Sequence, residues 1–156
     1  MKLTIITIGQ KMPAWVSQGV TTYQERFTKP YSVTLHEIPL EKRGKSYDAA
    51  VMKIKEAEQI KKQLKPSDFV VALDESGQQF STLALAKQME EWQQLGKNIC
   101  FIIGGPDGLD NSILQLAHLR WSLSSLTFPH PLVRIILVEQ LYRTMSVIKN
   151  HPYHRE

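Results

Sequence analysis

Five short apolar runs alternate with stretches of helical periodicity, and this alternation constrains the fold more than any other feature. The runs have the length and residue types of strands and cover residues 3–8, 33–38, 69–73, 99–103 and 121–123. Strands separated by helices predict an α/β architecture with a mainly parallel sheet and flanking helices. The 156 residues match the usual size of one domain, so we expect a single domain over residues 1–156.

Three of the predicted helices have residues near their ends that are typical of helix termini. The first starts at Pro13, which suits an early helical position, and carries apolar residues at three-to-four spacing up to Phe27. The second starts near Asp48 and covers about 47–64. The third follows Ser81 as N-cap and stops at Gly96.

The last predicted helix, after Pro131, is apolar on nearly all sides. Such a helix must be covered on nearly all sides, and a chain of 156 residues has little spare core to cover it. A homodimer interface is the first interpretation. Burial as the central helix of a monomer is the alternative.

The charge favours a polyanionic partner without requiring one. The formal net charge is +4, and residues 120–156 contain five basic but two acidic residues. A nucleic-acid footprint and a merely solvated basic surface both explain this pattern. The charged loop 40–46 leaves the same two interpretations open.

Several classes of protein are disfavoured by missing signals. Neither a secretory signal nor an apolar run of about 20 residues is present, so we expect a cytoplasmic protein without a membrane span. Cys100 stands alone in an apolar run and is expected to be a small core residue. The histidines lack metal-ligand spacing, and G-x-S-x-G is absent, so we predict no metal and no serine hydrolase.

Two loops after predicted strands are candidates for a binding site. Residues 104–108 form a glycine-rich loop that contains Asp107 and lacks the P-loop lysine. A carboxylate there favours a cationic ligand over a phosphate, although a plain tight turn is equally compatible. Residues 123–134 contain two prolines and several hydroxyl side chains, which predicts a rigid wall leading into the last helix.

Four motifs together resemble the SPOUT methyltransferases that modify large-subunit ribosomal RNA. They are residues 103–108 (IGGPDG), 126–134 (LTFPHPLVR), 139–143 (EQLYR) and 150–155 (NHPYHR). The resemblance runs along the whole chain and is weakest at 39–50. It implies a deep C-terminal trefoil knot, with a knotted cofactor-binding part at about 70–150 and a tail at 150–156. It also implies S-adenosylmethionine as cofactor, bound by Leu73, Gly104, Leu123, Ser124, Ser125, Leu126, Thr127 and Phe128.

The resemblance further implies methylation of N3 of a pseudouridine in the helix 69 region of 23S ribosomal RNA, within the assembled 70S ribosome. We expect Arg143, paired with Glu139, to stabilise the anion that develops on the base. In the tail, Tyr153 would stack on a base, His154 would relay a proton and Arg155 would bind phosphate, with the tail completing the site of a partner subunit. A SPOUT enzyme acting on transfer RNA and a non-catalytic ribosome-binding factor are the alternatives.

Overall fold

A five-stranded sheet forms the centre of the protein in the computed structural model, which describes residues 1–42 and 44–155. The strand order is β2-β1-β4-β3-β5, and each neighbouring pair is parallel. The prediction of a mainly parallel α/β sheet is confirmed. The strands are β1 (Lys2–Ile8), β2 (Ser32–Ile38), β3 (Phe69–Gln78), β4 (Ile99–Ile103) and β5 (Leu119–Trp121).

The helices begin and end largely where their capping residues predict. Asp48 accepts a hydrogen bond from the amide of Ala50 at 2.9 Å, and Ser81 accepts one from Ala84 at 3.1 Å. Gly96 ends its helix in the left-handed conformation, with φ of 65°. The helices are α1 (Ala14–Gln24), α2 (Ala49–Gln63), α3 (Thr82–Leu95), α4 (Asn111–Leu116), α5 (His130–Ile148) and a 3₁₀ turn (Pro152–Arg155).

The helices cover both faces of the sheet. Alternate side chains of β1 point to opposite faces, so Leu3 and Ile5 join the core under α1, α3 and α5, whereas Ile6 and Ile8 join the core under α2 and α4. Cys100 is buried in the second of these cores, as expected for a small apolar residue. Burial raises the pKa of its thiol to about 12, so the thiol is inert at neutral pH.

Strand β3 departs from the predicted 69–73 by continuing to Gln78. Both Leu73 and Gln78 pair with Trp121, so residues 74–77 bulge out of the ladder. The bulge needs a glycine, because a Cβ on Gly77 would lie 2.7 Å from the carbonyl carbon of Arg120. Strand β5 ends at Trp121 and not at the predicted 123, and the chain turns there towards α5.

Helix α5 packs between α1 and α3, and none of its residues is fully exposed. The approach to α1 is close, because a Cβ on Gly19 would lie 2.8 Å from the side chain of Ile135. The chain therefore runs from β5 at the edge of the sheet to a helix in the middle of one face. This path is consistent with the trefoil knot that the resemblance implies.

Candidate functional site

A cleft of about 730 Å³ opens at the ends of β4 and β5 and beside residues 73–75, where β3 leaves the ladder. Ligands of open α/β sheets bind at the carboxyl ends of the strands, and a cleft of this size accommodates a cofactor-sized molecule. Ser125 does not line the cleft but accepts a hydrogen bond from Gln79 at 3.0 Å. The other seven residues predicted to bind the cofactor do line it: Leu73, Gly104, Leu123, Ser124, Leu126, Thr127 and Phe128.

The wall formed by residues 122–129 is held by its own hydrogen bonds. The buried hydroxyl of Ser122 donates to the carbonyl of Ser124 at 2.9 Å, and the hydroxyl of Ser124 accepts from the amide of Leu126 at 3.0 Å. Pro129 then restricts the backbone at the start of α5. The wall is therefore preorganised, as the hydroxyl and proline pattern predicts.

In the glycine turn after β4, the backbone of Gly104 lies close to the backbone of Gly108. A Cβ on Gly104 would lie 2.8 Å from the carbonyl carbon of Gly108, and Gly108 has φ of 82°. Both positions therefore require glycine for the path of the backbone. Residues 103–109, which include this turn, line the cleft.

Carboxylates outnumber cations around the cleft. Asp74, Glu75 and Asp107 line it together with Lys53 and His130. Asp107 accepts a hydrogen bond from the hydroxyl of Tyr47. The sequence pattern singles out Asp107 but not Asp74 and Glu75, although their position directly after a predicted strand is a usable signal. This lining favours a ligand with positive charge.

A second polar cluster lies along the C-terminal half of α5 and includes Glu139, Arg143 and Tyr153. The Nε atom of Arg143 donates to Glu139 at 2.8 Å, and the hydroxyl of Tyr153 donates to the same carboxylate oxygen at 3.0 Å. The guanidinium of Arg143 also lies 4.8 Å from the centre of the Tyr153 ring. Burial raises the pKa of Tyr153, and hydrogen bonds with Tyr23 and Glu139 raise it further, so the phenol stays protonated.

None of the four predicted catalytic residues lines the cleft. Val133 lines it, and Arg143 lies ten residues further along α5, which corresponds to roughly 15 Å along the helix. In the tail, Nδ1 of His154 is buried and has no hydrogen-bond partner among the described residues, whereas Arg155 is exposed. One chain therefore keeps the cleft and the predicted catalytic side chains apart.

Arg134 lies behind the wall of the cleft and supports it. The sequence patterns did not predict this role. It is 1% exposed, and its guanidinium donates to Glu37 at 2.7 Å and to the carbonyl of Gly9 at 2.9 Å. This ion pair, buried on the Arg134 side and exposed on the Glu37 side, joins the first turns of α5 to the ends of β1 and β2. His130, one turn before Arg134, and Val133, the residue directly before it, both line the cleft, so Arg134 fixes the position of that wall.

The parallel sheet, its carboxyl-edge cleft and the wall before α5 define an α/β protein built to bind a cofactor-sized ligand. A family model described as "Predicted SPOUT methyltransferase" matches residues 1–154. The chain belongs to the SPOUT methyltransferase family and is a methyltransferase, as the resemblance implied. Membership in this family implies that the protein uses a methyl donor, and methyltransferases in general use S-adenosylmethionine.

Similar proteins match over the full length. A protein of Legionella pneumophila (strain Paris) named "Ribosomal RNA large subunit methyltransferase H" is 52% identical over 155 residues, covering 99% of each chain. A protein of the same name from Hydrogenovibrio crunogenus is 44% identical over 156 residues, covering 100% of each. A probable methylase family protein from Haemophilus influenzae has a similar fold, with TM-score 0.58 and 14% identity over 97% of this chain and 69% of that one.

Two kinds of feature are not found in the part of the chain that the structure describes. No helix there has the length and apolar character needed to cross a membrane. No group of three histidine, cysteine or carboxylate side chains there is placed to hold a metal ion.

Proposed function

We propose that this protein methylates N3 of a pseudouridine in the helix 69 region of 23S ribosomal RNA, using S-adenosylmethionine, on the assembled 70S ribosome in the cytoplasm. The observation that carries the proposal is the cleft, which is lined by seven of the eight residues expected to hold the cofactor. The names of the relatives, which specify large-subunit ribosomal RNA, support the choice of substrate.

The cleft has the chemistry that S-adenosylmethionine requires. Its excess of carboxylates suits a sulfonium and an ammonium group, and its backbone-rich wall offers amides and carbonyls to an adenine. Residues 123–128 would hold the adenosine, and Gly104 with Leu73 would border the methionine part. When bound, the cofactor would supply an electrophilic methyl group.

The residues of the chain have two tasks in this reaction. They must align N3 with the methyl carbon and sulfur, which contributes ~7 to 11 kcal/mol, and they must help N3 to lose its proton, which contributes about 3 to 5 kcal/mol. The preorganised wall serves the first task. For the second task, Arg143 would stabilise the developing negative charge. His154, whose Nδ1 has no hydrogen-bond partner in residues 1–42 and 44–155, would take part in proton transfer. Arg155, exposed at the end of the tail, would bind phosphate.

In this proposal, Tyr153 anchors the tail and does not stack on a base. Its hydroxyl donates to Glu139, and its ring contacts Arg143 and Tyr142. The ring therefore anchors the tail to α5 and positions the residues that follow it.

A homodimer brings the tail of one chain to the cleft of another. Along one side of α5, Leu132, Ile136 and Val147 are only half buried, and they lie outside the two cores among the described residues. Their spacing places them on the same side as Arg143. We infer that a second copy covers this stripe, which also resolves the separation of roughly 15 Å between cleft and cluster.

The test uses 70S ribosomes from cells lacking the protein, incubated with the enzyme and radiolabelled S-adenosylmethionine. We expect one methyl group per ribosome, located by mass spectrometry on N3 of a pseudouridine in 23S ribosomal RNA. Label in transfer RNA and none in ribosomal RNA would contradict the substrate. Tight ribosome binding without any thermal stabilisation by S-adenosylmethionine would instead favour a non-catalytic factor.

A further inference from the structure

Arg26 lies just beyond α1 and is exposed, yet it is held in place. Its guanidinium carbon lies 5.4 Å from the ring centre of Tyr23, 5.8 Å from that of Tyr142 and 5.6 Å from that of Tyr153. Three aromatic contacts restrict a side chain that would otherwise sample many rotamers. The contacts also place Arg26 against Tyr153, the residue that anchors the tail.

The charge of Arg26 is not compensated within the described residues. Arg134 pairs with Glu37 and Arg143 pairs with Glu139, whereas no carboxylate of the described chain forms an ion pair with Arg26. A fixed, exposed and unpaired guanidinium is therefore available to an external anion. Its planar fork suits two parallel hydrogen bonds to one phosphate.

Other cations lie at the same end of the molecule. The Nζ atom of Lys149 donates to the hydroxyl of Thr28 at 2.7 Å and to the carbonyl of Lys29 at 2.6 Å, which joins the end of α5 to the segment after α1. Lys29 and Arg155 are exposed nearby in the chain. We call this surface the α1 basic patch: Arg26, Lys29, Lys149 and Arg155.

We propose that the α1 basic patch binds the RNA backbone next to the target nucleotide, with Arg26 contacting a phosphate. The inference rests on the proposed function, because it names the surface on which that substrate docks. Several spaced cations beside tyrosine rings match a phosphate chain better than a compact acidic ligand. Because Tyr153 touches both Arg26 and Arg143, the patch is continuous with the predicted catalytic cluster.

The experiment compares Arg26→Gln and Arg26→Lys with the unmodified protein. Lys62→Gln is the matched control, since Lys62 is an exposed cation on α2, across the sheet from the patch. Binding to 70S ribosomes from cells lacking the protein is measured by co-sedimentation over a range of KCl concentrations, and methyl incorporation is measured in parallel.

We expect Arg26→Gln to weaken ribosome binding several-fold and to flatten the slope of log K against log salt by about 0.7 to 0.9, as for one lost phosphate contact. Arg26→Lys should keep the slope and lose part of the affinity, and Lys62→Gln should behave like the unmodified protein. In the methylation assay, Arg26→Gln should raise the ribosome concentration needed for half-maximal rate several-fold.

An unchanged affinity and slope in Arg26→Gln would overturn the inference. So would a lower rate at saturation with unchanged affinity and slope, because Arg26 would then act only by holding Tyr153. If the unmodified protein binds ribosomes without methylating them, the proposed function fails, whereas the salt slopes still decide the role of Arg26.

Discussion

Gly104 shows how one residue position shapes the cleft. The nearest obstacle to a side chain at this position is the backbone of Gly108, in the same turn, whose carbonyl carbon would lie 2.8 Å from a Cβ on Gly104. A backbone atom cannot move aside as the end of a flexible side chain can. Any larger residue must therefore displace the turn that lines the cleft.

We predict that Gly104→Ala weakens S-adenosylmethionine binding by about 5- to 150-fold, since overpacking of this kind costs about 1 to 3 kcal/mol. Isothermal titration calorimetry measures the change. Gly44→Ala is the control, because a Cβ on Gly44 meets nothing within 4 Å. An affinity equal to that of the control would mean that the turn does not contact the cofactor.

At the scale of elements, the C-terminal 3₁₀ turn is a small segment fixed by few contacts. Tyr153 holds it through Glu139 and through the rings of Tyr142 and Tyr23, with centroid distances of 4.7 and 6.5 Å. Chain termini without such contacts are usually frayed. The packing therefore keeps His154 and Arg155 close to α5, where a partner subunit can meet them.

Truncation after Asn150 should leave the fold and cofactor binding intact while reducing methylation by about 10²-fold or more, the range expected for loss of acid–base assistance. A melting temperature lowered by only about 2 to 4 °C is expected, which corresponds to about 1 kcal/mol. Calorimetry and single-turnover methylation separate the two effects. A truncated protein with full activity would contradict the role of the tail.

The elements themselves follow closely from local patterns. The extent of β4, the Ser81 and Gly96 ends of α3 and the start of α2 near Asp48 agree with the predictions. Helix α4 was missed because six residues are too few to show a helical period. The extension of β3 was missed because it depends on pairing of Gln78 with Trp121.

At the scale of the whole molecule, one chain holds the cleft apart from the predicted catalytic residues Arg143, Tyr153, His154 and Arg155. The half-buried stripe of α5 and the anchored tail both lie where a second copy could dock. A twofold arrangement would produce two identical composite sites, each with the cleft of one subunit and the tail of the other.

Subunit mixing tests this arrangement. A chain truncated after Asn150 is mixed with a Gly104→Val chain whose cleft is blocked, after sedimentation has shown that both dimerise. We expect the mixture to recover about one quarter of normal activity, because half of the dimers are mixed and each has one complete site. If the two variants dimerise and exchange subunits but the mixture stays inactive, each chain works alone. A monomeric unmodified protein in sedimentation would contradict the arrangement before mixing.

The amino-acid sequence by itself determined the alternation of strands and helices, the helix caps and the motifs of the family, because each depends on residues close together in the chain. Only the tertiary structure decided which of these residues meet. Arg134 and Glu37 are 97 positions apart, and Arg26 reaches the ring of Tyr153 from beyond α1. Such contacts form when the sheet and α5 bring distant segments together, and no local periodicity encodes them.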